Sequence, residues 1–375
     1  MAVEQEIQGN DSYSSWHPES PLKENLQLTK NELIKVTAIT GIAGFINMIN
    51  NYAALKGKTP SEDEIKEFKK RMDIHTNGVM EMMLDKSRIR NNVKAGEGKK
   101  DGMPDIKGLH GKIDAPKVDL IVDPVDGTSL LANWVNGAVS FAAASNNISD
   151  IQAEDYGVFI TVPPEAATAV DLKMSVDGHK KVLKDICEAL NIQPNELTQT
   201  MLRPNNKGRQ VNQFFYDAAE ALGVQLDLID AGDVMPSLHA SLSRQEVELF
   251  CNRNNLDPKV HGKPRIVVGR TAFVEKYGVS NGSIITGGVS VGHKWNQDLA
   301  AINLKERFTH KDFAPGDKEQ TLIIASFITP SNTFGQEGII DNNDGTHTIK
   351  TLVLTAQNGA EIVTNTFSLK DFIQN

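Results

Sequence analysis

Apolar residues along this chain recur at two spacings, and the change between them divides it. Leu33, Val36, Ile39, Ile42, Ile46 and Ile49 follow Thr29-Lys30-Asn31-Glu32, a capping-box pattern. They predict an amphipathic helix from Thr29 to about Leu55. Thr59-Pro60-Ser61-Glu62 reads as a second cap, with proline at the first helical position. Ile65, Phe68, Met72, Val79, Met83 and Leu84 would line the buried face of that helix, and Lys66, Lys69, Lys70 and Arg71 its solvated face. After Lys94-Ala95-Gly96-Glu97-Gly98 a Lys/Gly/Asp-rich loop runs to about Lys117, long enough to suggest a functional loop. Val118-Asp119-Leu120-Ile121-Val122 is a largely apolar run that reads as a buried strand. Pro124 cannot donate to a central ladder, so the strand is expected to stop there. Ala138–Ala144, Tyr156–Val162 and Ala167–Leu172 read as further strands.

From about Asp177 helices and strands alternate. Lys180–Leu190 and Gln210–Leu222 are predicted helices; Leu197–Leu202 and Val224–Ile229 are predicted strands; Gly232-Asp233-Val234 opens a helix to about Leu242. Val247–Phe250, Ile266–Val268 and Ser283–Ile285 read as short strands, 252–264 as irregular, and Asp298–Leu304 as a helix. The tail is β-rich, with Thr321–Phe327 and a hairpin turning at Asn358-Gly359 between Lys350–Thr355 and Glu361–Phe367. The expected organisation is a flexible arm over 1–28, an α+β subdomain over 29–172 and an α/β subdomain over 173–375.

Composition narrows the function classes. The chain has 375 residues, 39% of them hydrophobic, and a net charge of −9. That balance argues against a general nucleic-acid or membrane-surface binder, though not against a local basic pocket for a small anion. Two cysteines, Cys187 and Cys251, make no disulfide framework. The polar start lacks a signal-peptide core and no apolar run approaches membrane-spanning length, so the expected location is cytoplasmic.

The candidate chemistry lies in Asp123-Pro124-Val125-Asp126-Gly127-Thr128-Ser129. Asp123 falls at the carboxyl end of the predicted strand, Asp126 in the turn after it, and Gly127-Thr128-Ser129 opens the next helix. Carboxylates converging on a turn suit a hard divalent cation, and N–H groups at a helix start suit a phosphate. The plain alternative is a strand-turn-helix corner with an aspartate cap. Glu97, set between Gly96 and Gly98, adds a third carboxylate upstream of the same strand and favours a metal site.

With Gly96-Glu97-Gly98 and the Asp123–Thr128 motif, the chain resembles the lithium-sensitive, metal-dependent phosphatases, which include inositol monophosphatases and fructose-1,6-bisphosphatases. Leu197-Thr198, Lys207-x-Arg209, Ala221-Leu222-Gly223-Val224, Gly232-Asp233-Val234 and the tail from Ile323 to Leu354 resemble the class II (GlpX-type) fructose-1,6-bisphosphatases. The resemblance implies an αβαβα sandwich, Mg²⁺ or Mn²⁺, and hydrolysis of a sugar bisphosphate by a homo-oligomer, dimer or tetramer. It implies metal-binding roles for Glu97, Asp123, Asp126 and the Val125 carbonyl, and a water-holding role for Thr128. Asp73 matches an acid near the metals and Thr128, and Lys69 a basic residue one helical turn earlier. Gly127, Thr128 and Ser129 would meet the phosphate, and Asp101 matches an acid of the loop after Glu97. Lys207 and Arg209 match the pair that grips the non-reacting phosphate; Asp230 and Asp233 match acids of a substrate-contacting segment.

Three positions depart from the family pattern. Its Gly-Gly-Ala-Pro-Glu-Gly segment finds a nearest match at Gly287-Gly288-Val289-Ser290-Val291-Gly292, with Val291 at the metal-binding acid. Trp295-Asn296-Gln297-Asp298-Leu299-Ala300-Ala301 resembles the late motif of the inositol-phosphatase branch, which makes Asp298 the expected replacement ligand at a helix start. The family's substrate-contacting tyrosine falls on Ala166, and one acid of its D-G-D segment on Ala231. A sugar bisphosphatase is therefore the first expectation. An inositol or nucleotide phosphatase is the second, and a non-catalytic binder of a phosphorylated ligand the third.

Overall fold

The computed structural model describes residues 22–96, 106–151, 156–204, 210–296 and 301–370. Glu97, Asp101, Lys207, Arg209 and Asp298 lie outside the described residues.

The first half lays two helices on a sheet. Helix α1 (Leu26–Ala54) follows a 3₁₀ turn at Leu22–Asn25, and α2 (Glu62–Asp85) starts at a Ser61–Glu64 capping box. Strands β1 (Arg90–Gly96), β2 (Gly108–Gly111) and β3 (Lys117–Asp126) follow, then the short helix α3 (Thr128–Ala132), β4 (Val139–Ser145) and β5 (Tyr156–Val162). The second half contains α4 (Val176–Leu190), β6 (Thr198–Leu202), α5 (Gln213–Leu222), β7 (Gln225–Ile229), α6 (Val234–Ser241), α7 (Arg244–Arg253) and α8 (Pro258–His261). It continues with β8 (Arg265–Ala272), α9 (Phe273–Thr286), β9 (Val289–Asn296), β10 (Ala301–Thr309) and α10 (His310–Phe313). Strands β11 (Thr321–Phe327), β12 (Ile340–Asp341), β13 (Thr346–Thr355) and β14 (Gly359–Ser368) complete it.

One sheet runs β12-β13-β11-β4-β3-β1-β2, with β14 also on β13; the other runs β10-β9-β5-β8-β6-β7. Both are buried on two faces, which the side-chain alternation makes plain. On β3, Val118, Leu120 and Val122 join the core under α1 and α2, while Ile121 faces the opposite core. On β5, Phe159 joins that opposite core, and Val158, Ile160 and Val162 face α4 and α5. The layers are therefore α1/α2, first sheet, α6/α9, second sheet and α4/α5, the expected αβαβα sandwich. Strands covered on both sides read as continuous apolar runs rather than alternating ones.

Several local expectations are corrected. Helix α1 starts at Leu26, ahead of the Thr29 capping pattern; Glu32 instead accepts Arg88 Nε at 2.9 Å and the Arg88 N–H at 3.0 Å, tying α1 to the connection after α2. With its 3₁₀ lead-in, α1 is long and apolar enough to cross a membrane by length and composition, against the sequence expectation, but Leu33, Ile34, Val36 and Ile39 place it in the core. Strand β3 runs through Pro124: Asp123 pairs with Phe141 and Asp126 with Val139, so three steps on β3 oppose two on β4. The proline sits in this bulge, where no ladder donor is required. Residues 167–172 form no strand. Val247–Phe250 belongs to α7, whose Ser243–Glu246 capping box is the stronger signal. Ser283–Ile285 ends α9, and Ala301–Leu304, expected to be helical, starts β10.

Two buried histidines connect this core to pH. His179 Nε2 donates to Gln199 Oε1 at 3.0 Å, and His239 Nε2 donates to the His261 carbonyl at 3.0 Å. Burial pushes the first down to about 4, against the Gln199 hydrogen bond, and the second down to about 3, with the Arg265 charge adding to the effect. Both are neutral in the fold and titrate near 6.5 once unfolded, so the unfolded chain binds more protons below that value. Stability is therefore full above pH 6.5 and falls as the pH drops toward 4, each histidine removing up to about 1.4 kcal/mol per pH unit. Denaturant unfolding from pH 7 to 4.5 should show this loss, and His179→Gln should reduce the unfolding-linked proton uptake by about one.

Candidate functional site

A cleft of about 370 Å³ opens where the carboxyl end of β3 meets the ends of β6 and β8 and the starts of α6 and α9. It lies between the two sheets, at the strand ends where layered α/β folds collect ligands. Its first wall comes from β3, α3 and α2. Asp123 accepts the Val125 N–H at 2.9 Å, which turns the chain after the proline. Asp126 accepts the Val234 N–H at 3.3 Å, joining the end of β3 to the start of α6. Gly127 caps α3 at φ +85°, and a Cβ there would meet Leu130 Cδ1 at 3.0 Å. Thr128 Oγ1 donates to the Val125 carbonyl at 3.1 Å, and Lys69 Nζ reaches from α2 to donate to Ser129 Oγ at 2.7 Å. Asp73, one turn beyond Lys69, lines the same wall. Helix α3 is a single short turn, so its dipole contributes little and the charged side chains carry the electrostatics.

The second wall comes from the other sheet. Asp233 stands at the N-cap of α6, with Ala231 and Gly232 before it. Tyr156 opens β5; Arg270, Thr271 and Ala272 end β8; Glu275 lies in the first turn of α9. Arg270 holds its guanidinium carbon 4.1 Å from the Tyr156 ring centre. Behind this wall Lys276 is 2% exposed, with Nζ 5.4 Å from the Phe159 ring centre. Burial pushes its ammonium below the ordinary lysine value, and the charges of Asp233 and Glu275 pull it back up.

The predicted residues divide clearly. Lys69, Asp73, Asp123, Val125, Asp126, Gly127, Thr128, Ser129 and Asp233 all line the cleft. Asp230 does not; it accepts Arg203 Nε at 2.9 Å on the exposed rim. Glu97 follows Gly96, which pairs with Val122 one residue before Asp123. Lys207 and Arg209 lie in the segment after Leu202, a cleft residue. Asp298 lies outside the described residues, between the end of β9 at Asn296 and the start of β10 at Ala301. Val291, 2% exposed, is a core residue between Ile160 and Thr309, which explains why the position is apolar. Ala166 is likewise buried in that core.

Sequence reasoning missed Arg270, Tyr156 and Glu275. The sequence directs attention to acids after Gly287, whereas Glu275 lines the cleft from the first turn of α9, ahead of Gly287. A tyrosine, Tyr156, lines the cleft from the start of β5 rather than after its end. An acid in the first turn of a helix after the Ile266–Val268 strand was the available signal; taking Ser283–Ile285 for a strand hid that helix.

Five carboxylates, Asp73, Asp123, Asp126, Asp233 and Glu275, face two cations, Lys69 and Arg270, among the described lining residues. Asp123, Asp126 and Asp233 are each less than a tenth exposed. Clustered carboxylates at such depth repel one another and any phosphate until a cation joins them. Their oxygens are the donors a hard divalent ion takes. Among the described residues no three His, Cys, Asp or Glu side chains form a ready metal cage. The fit to a divalent ion is thus one of donor chemistry and charge.

The family profile described as bacterial fructose-1,6-bisphosphatase, glpX-encoded, matches residues 61–253. A D-fructose 1,6-bisphosphatase class 2/sedoheptulose 1,7-bisphosphatase of Synechocystis sp. is 24% identical over 319 residues, 78% of this chain and 86% of the relative. Its namesake in Microcystis aeruginosa is 25% identical over the same shares. That of Prochlorococcus marinus is 29% identical over 162 residues, 42% of this chain and 46% of the relative. The family profile spans more than half of the sequence and covers both walls up to the end of α7, and on that ground the chain belongs to the GlpX-type, class II bacterial fructose-1,6-bisphosphatase family.

Proposed function

We propose that this protein is a divalent-metal-dependent phosphatase that hydrolyses fructose 1,6-bisphosphate to fructose 6-phosphate and phosphate. The observation that carries the reading is the cleft itself: buried Asp123 and Asp126, with Asp73 and Glu275, face Lys69 and Arg270 in a chain of this family. Family membership implies the divalent ion; Mg²⁺ or Mn²⁺ is part of the proposal, as are a cytoplasmic location and a homo-oligomer. Asp123, Asp126, Asp73 and Glu275 would hold the ion, with Glu97, Asp298 and the Val125 carbonyl as further candidates. Bound there, such an ion neutralises phosphate oxygens and acidifies water.

The chain's own residues then have separate tasks. Thr128 gives its proton to the Val125 carbonyl, which leaves its oxygen able to accept a hydrogen bond from an attacking water and so orient it. Asp73, which lines the same wall, would take that water's proton. Lys69, anchored on Ser129, offers a fixed positive charge to the phosphate at the α3 turn. Water forms the new P–O bond, the ester P–O bond breaks, and the sugar oxygen leaves as a hydroxyl after taking up a proton. Lys207 and Arg209 are proposed to hold the phosphate that is not cleaved, with Asp101 and Asp233 on the sugar; Asp230, paired with Arg203, is proposed only as a rim contact. The relatives' double name keeps a seven-carbon sugar bisphosphate as a second substrate to test.

The test is a phosphate-release panel of fructose 1,6-bisphosphate, sedoheptulose 1,7-bisphosphate, an inositol monophosphate and a nucleoside monophosphate. The bisphosphates should be cleaved with Mg²⁺ or Mn²⁺, and not after chelation. Asp123→Ala should lower turnover by about a thousandfold or more; undiminished turnover removes the mechanism. Glu275→Gln should raise the metal concentration giving half-maximal rate about tenfold or more; an unchanged metal titration removes Glu275 from the ligand set.

A further inference from the structure

Where β6 and β8 run side by side, their pairing ends at Thr200 with Val267, although β6 stays paired with β7 to Leu202 and Ile229. Asn212 fills the divergence. Its Nδ2 donates to the Leu202 carbonyl at 2.9 Å, and its Oδ1 accepts the Arg270 N–H at 2.9 Å. It is fully buried, and Gly269 leaves it room: at φ +134°, a Cβ there would stand 2.8 Å from Asn212 Oδ1. One carboxamide therefore fixes the backbone of Arg270 against the strand that leads to residues 205–209.

The side chain is fixed as well. Arg270 pairs opposite Val158, two residues from Tyr156, and lays its guanidinium on the Tyr156 ring at 4.1 Å. A guanidinium stacked on an aromatic face keeps its in-plane N–H groups directed outward, the geometry that meets a phosphate with two parallel hydrogen bonds. The wall matters too. Lys69, Ser129 and the β3 carboxylates belong to the first sheet and its helices, whereas Arg270 faces them from the second. A bisphosphate lying across the cleft with one phosphate at the β3–α3 turn presents its other end to the second wall.

We infer that Arg270 is a specificity-determining residue, contacting the phosphate that is not cleaved and making the cleft prefer bisphosphates to monophosphates. Tyr156 and Asn212 act through it as positioning residues. The inference rests on the proposed bisphosphatase activity.

The experiment uses the full chain with Mn²⁺ and compares kcat/KM for fructose 1,6-bisphosphate with that for p-nitrophenyl phosphate, which has no second phosphate. Arg270→Gln should lower the bisphosphate value about 10- to 100-fold, mostly through KM, and leave the monophosphate within about twofold. Arg270→Lys should fall between, because it keeps the charge without the planar fork. Tyr156→Ala should lose part of the same selectivity, and Tyr156→Phe little of it. Equal losses on both substrates, or no loss on the bisphosphate, overturn the inference. Calorimetric binding of fructose 6-phosphate, which carries only the retained phosphate, reads Arg270 without turnover. About tenfold weaker binding in Arg270→Gln supports the role even if the wild type cleaves no bisphosphate, a result that sinks the activity alone. Equal binding, or no binding to the wild type, overturns it. Thermal unfolding of each variant separates lost contact from lost fold.

Discussion

The bulge at the end of β3 sets the geometry on which the cleft is built. A strand covered on both faces holds a carboxylate along its length only where donors meet it, as Asn92 Nδ2 and the Ile148 N–H meet Asp119, so carboxylates that line a cleft must emerge where the strand leaves the core. Asp123 and Asp126 emerge together because three steps on β3 oppose two on β4. Pro124 makes the irregularity inexpensive, since it has no N–H to leave unpaired. Asp126 is then tied to the first helical N–H of α6, and Thr128 to the Val125 carbonyl. One backbone irregularity thus places two acids, a hydroxyl and the start of an interior helix in fixed relation.

Charge imbalance follows from that placement. Acids from β3, α2, α6 and α9 meet at depth, with Lys69 and Arg270 as the cations facing them among the described lining residues. Repulsion of this kind is unfavourable for folding and favourable for capturing a cation, and it ties metal binding to the compactness of the site. The buried Lys276 behind α9 offsets part of it from inside the protein, at a desolvation cost visible in its lowered proton affinity.

Much of this was legible in the sequence, and the misses have physical reasons. The apolar run ending in Asp123 identified the central strand and the first wall, because a doubly buried strand has a distinct composition. The helix positions of Lys69 and Asp73 followed from the Thr59–Glu62 cap pattern and the spacing of Phe68 and Met72, although the cap itself is Ser61 and Pro60 precedes the helix. The second wall was harder to read. Short apolar stretches such as Val247–Phe250 and Ser283–Ile285 fit strand or helix equally, and tertiary packing decides between them. Losing α9 hid Glu275, and Tyr156 and Arg270 meet only through the pairing of β5 with β8, a long-range contact that no local period encodes. Val291 looked like a lost ligand and is a core residue.

The interior layer of α6 and α9 joins the two sheets through Val234, Phe273 and Tyr277 in one continuous apolar core. Close-packed interiors resist shear. The separation between the first wall's carboxylates and the second wall's guanidinium is consequently a fixed length, and the cleft behaves as a gauge. For a bisphosphate that bridges the two walls as proposed, the span between its two ends would be read before its hydroxyls, and one more carbon would ask the sugar to bend rather than the protein to widen.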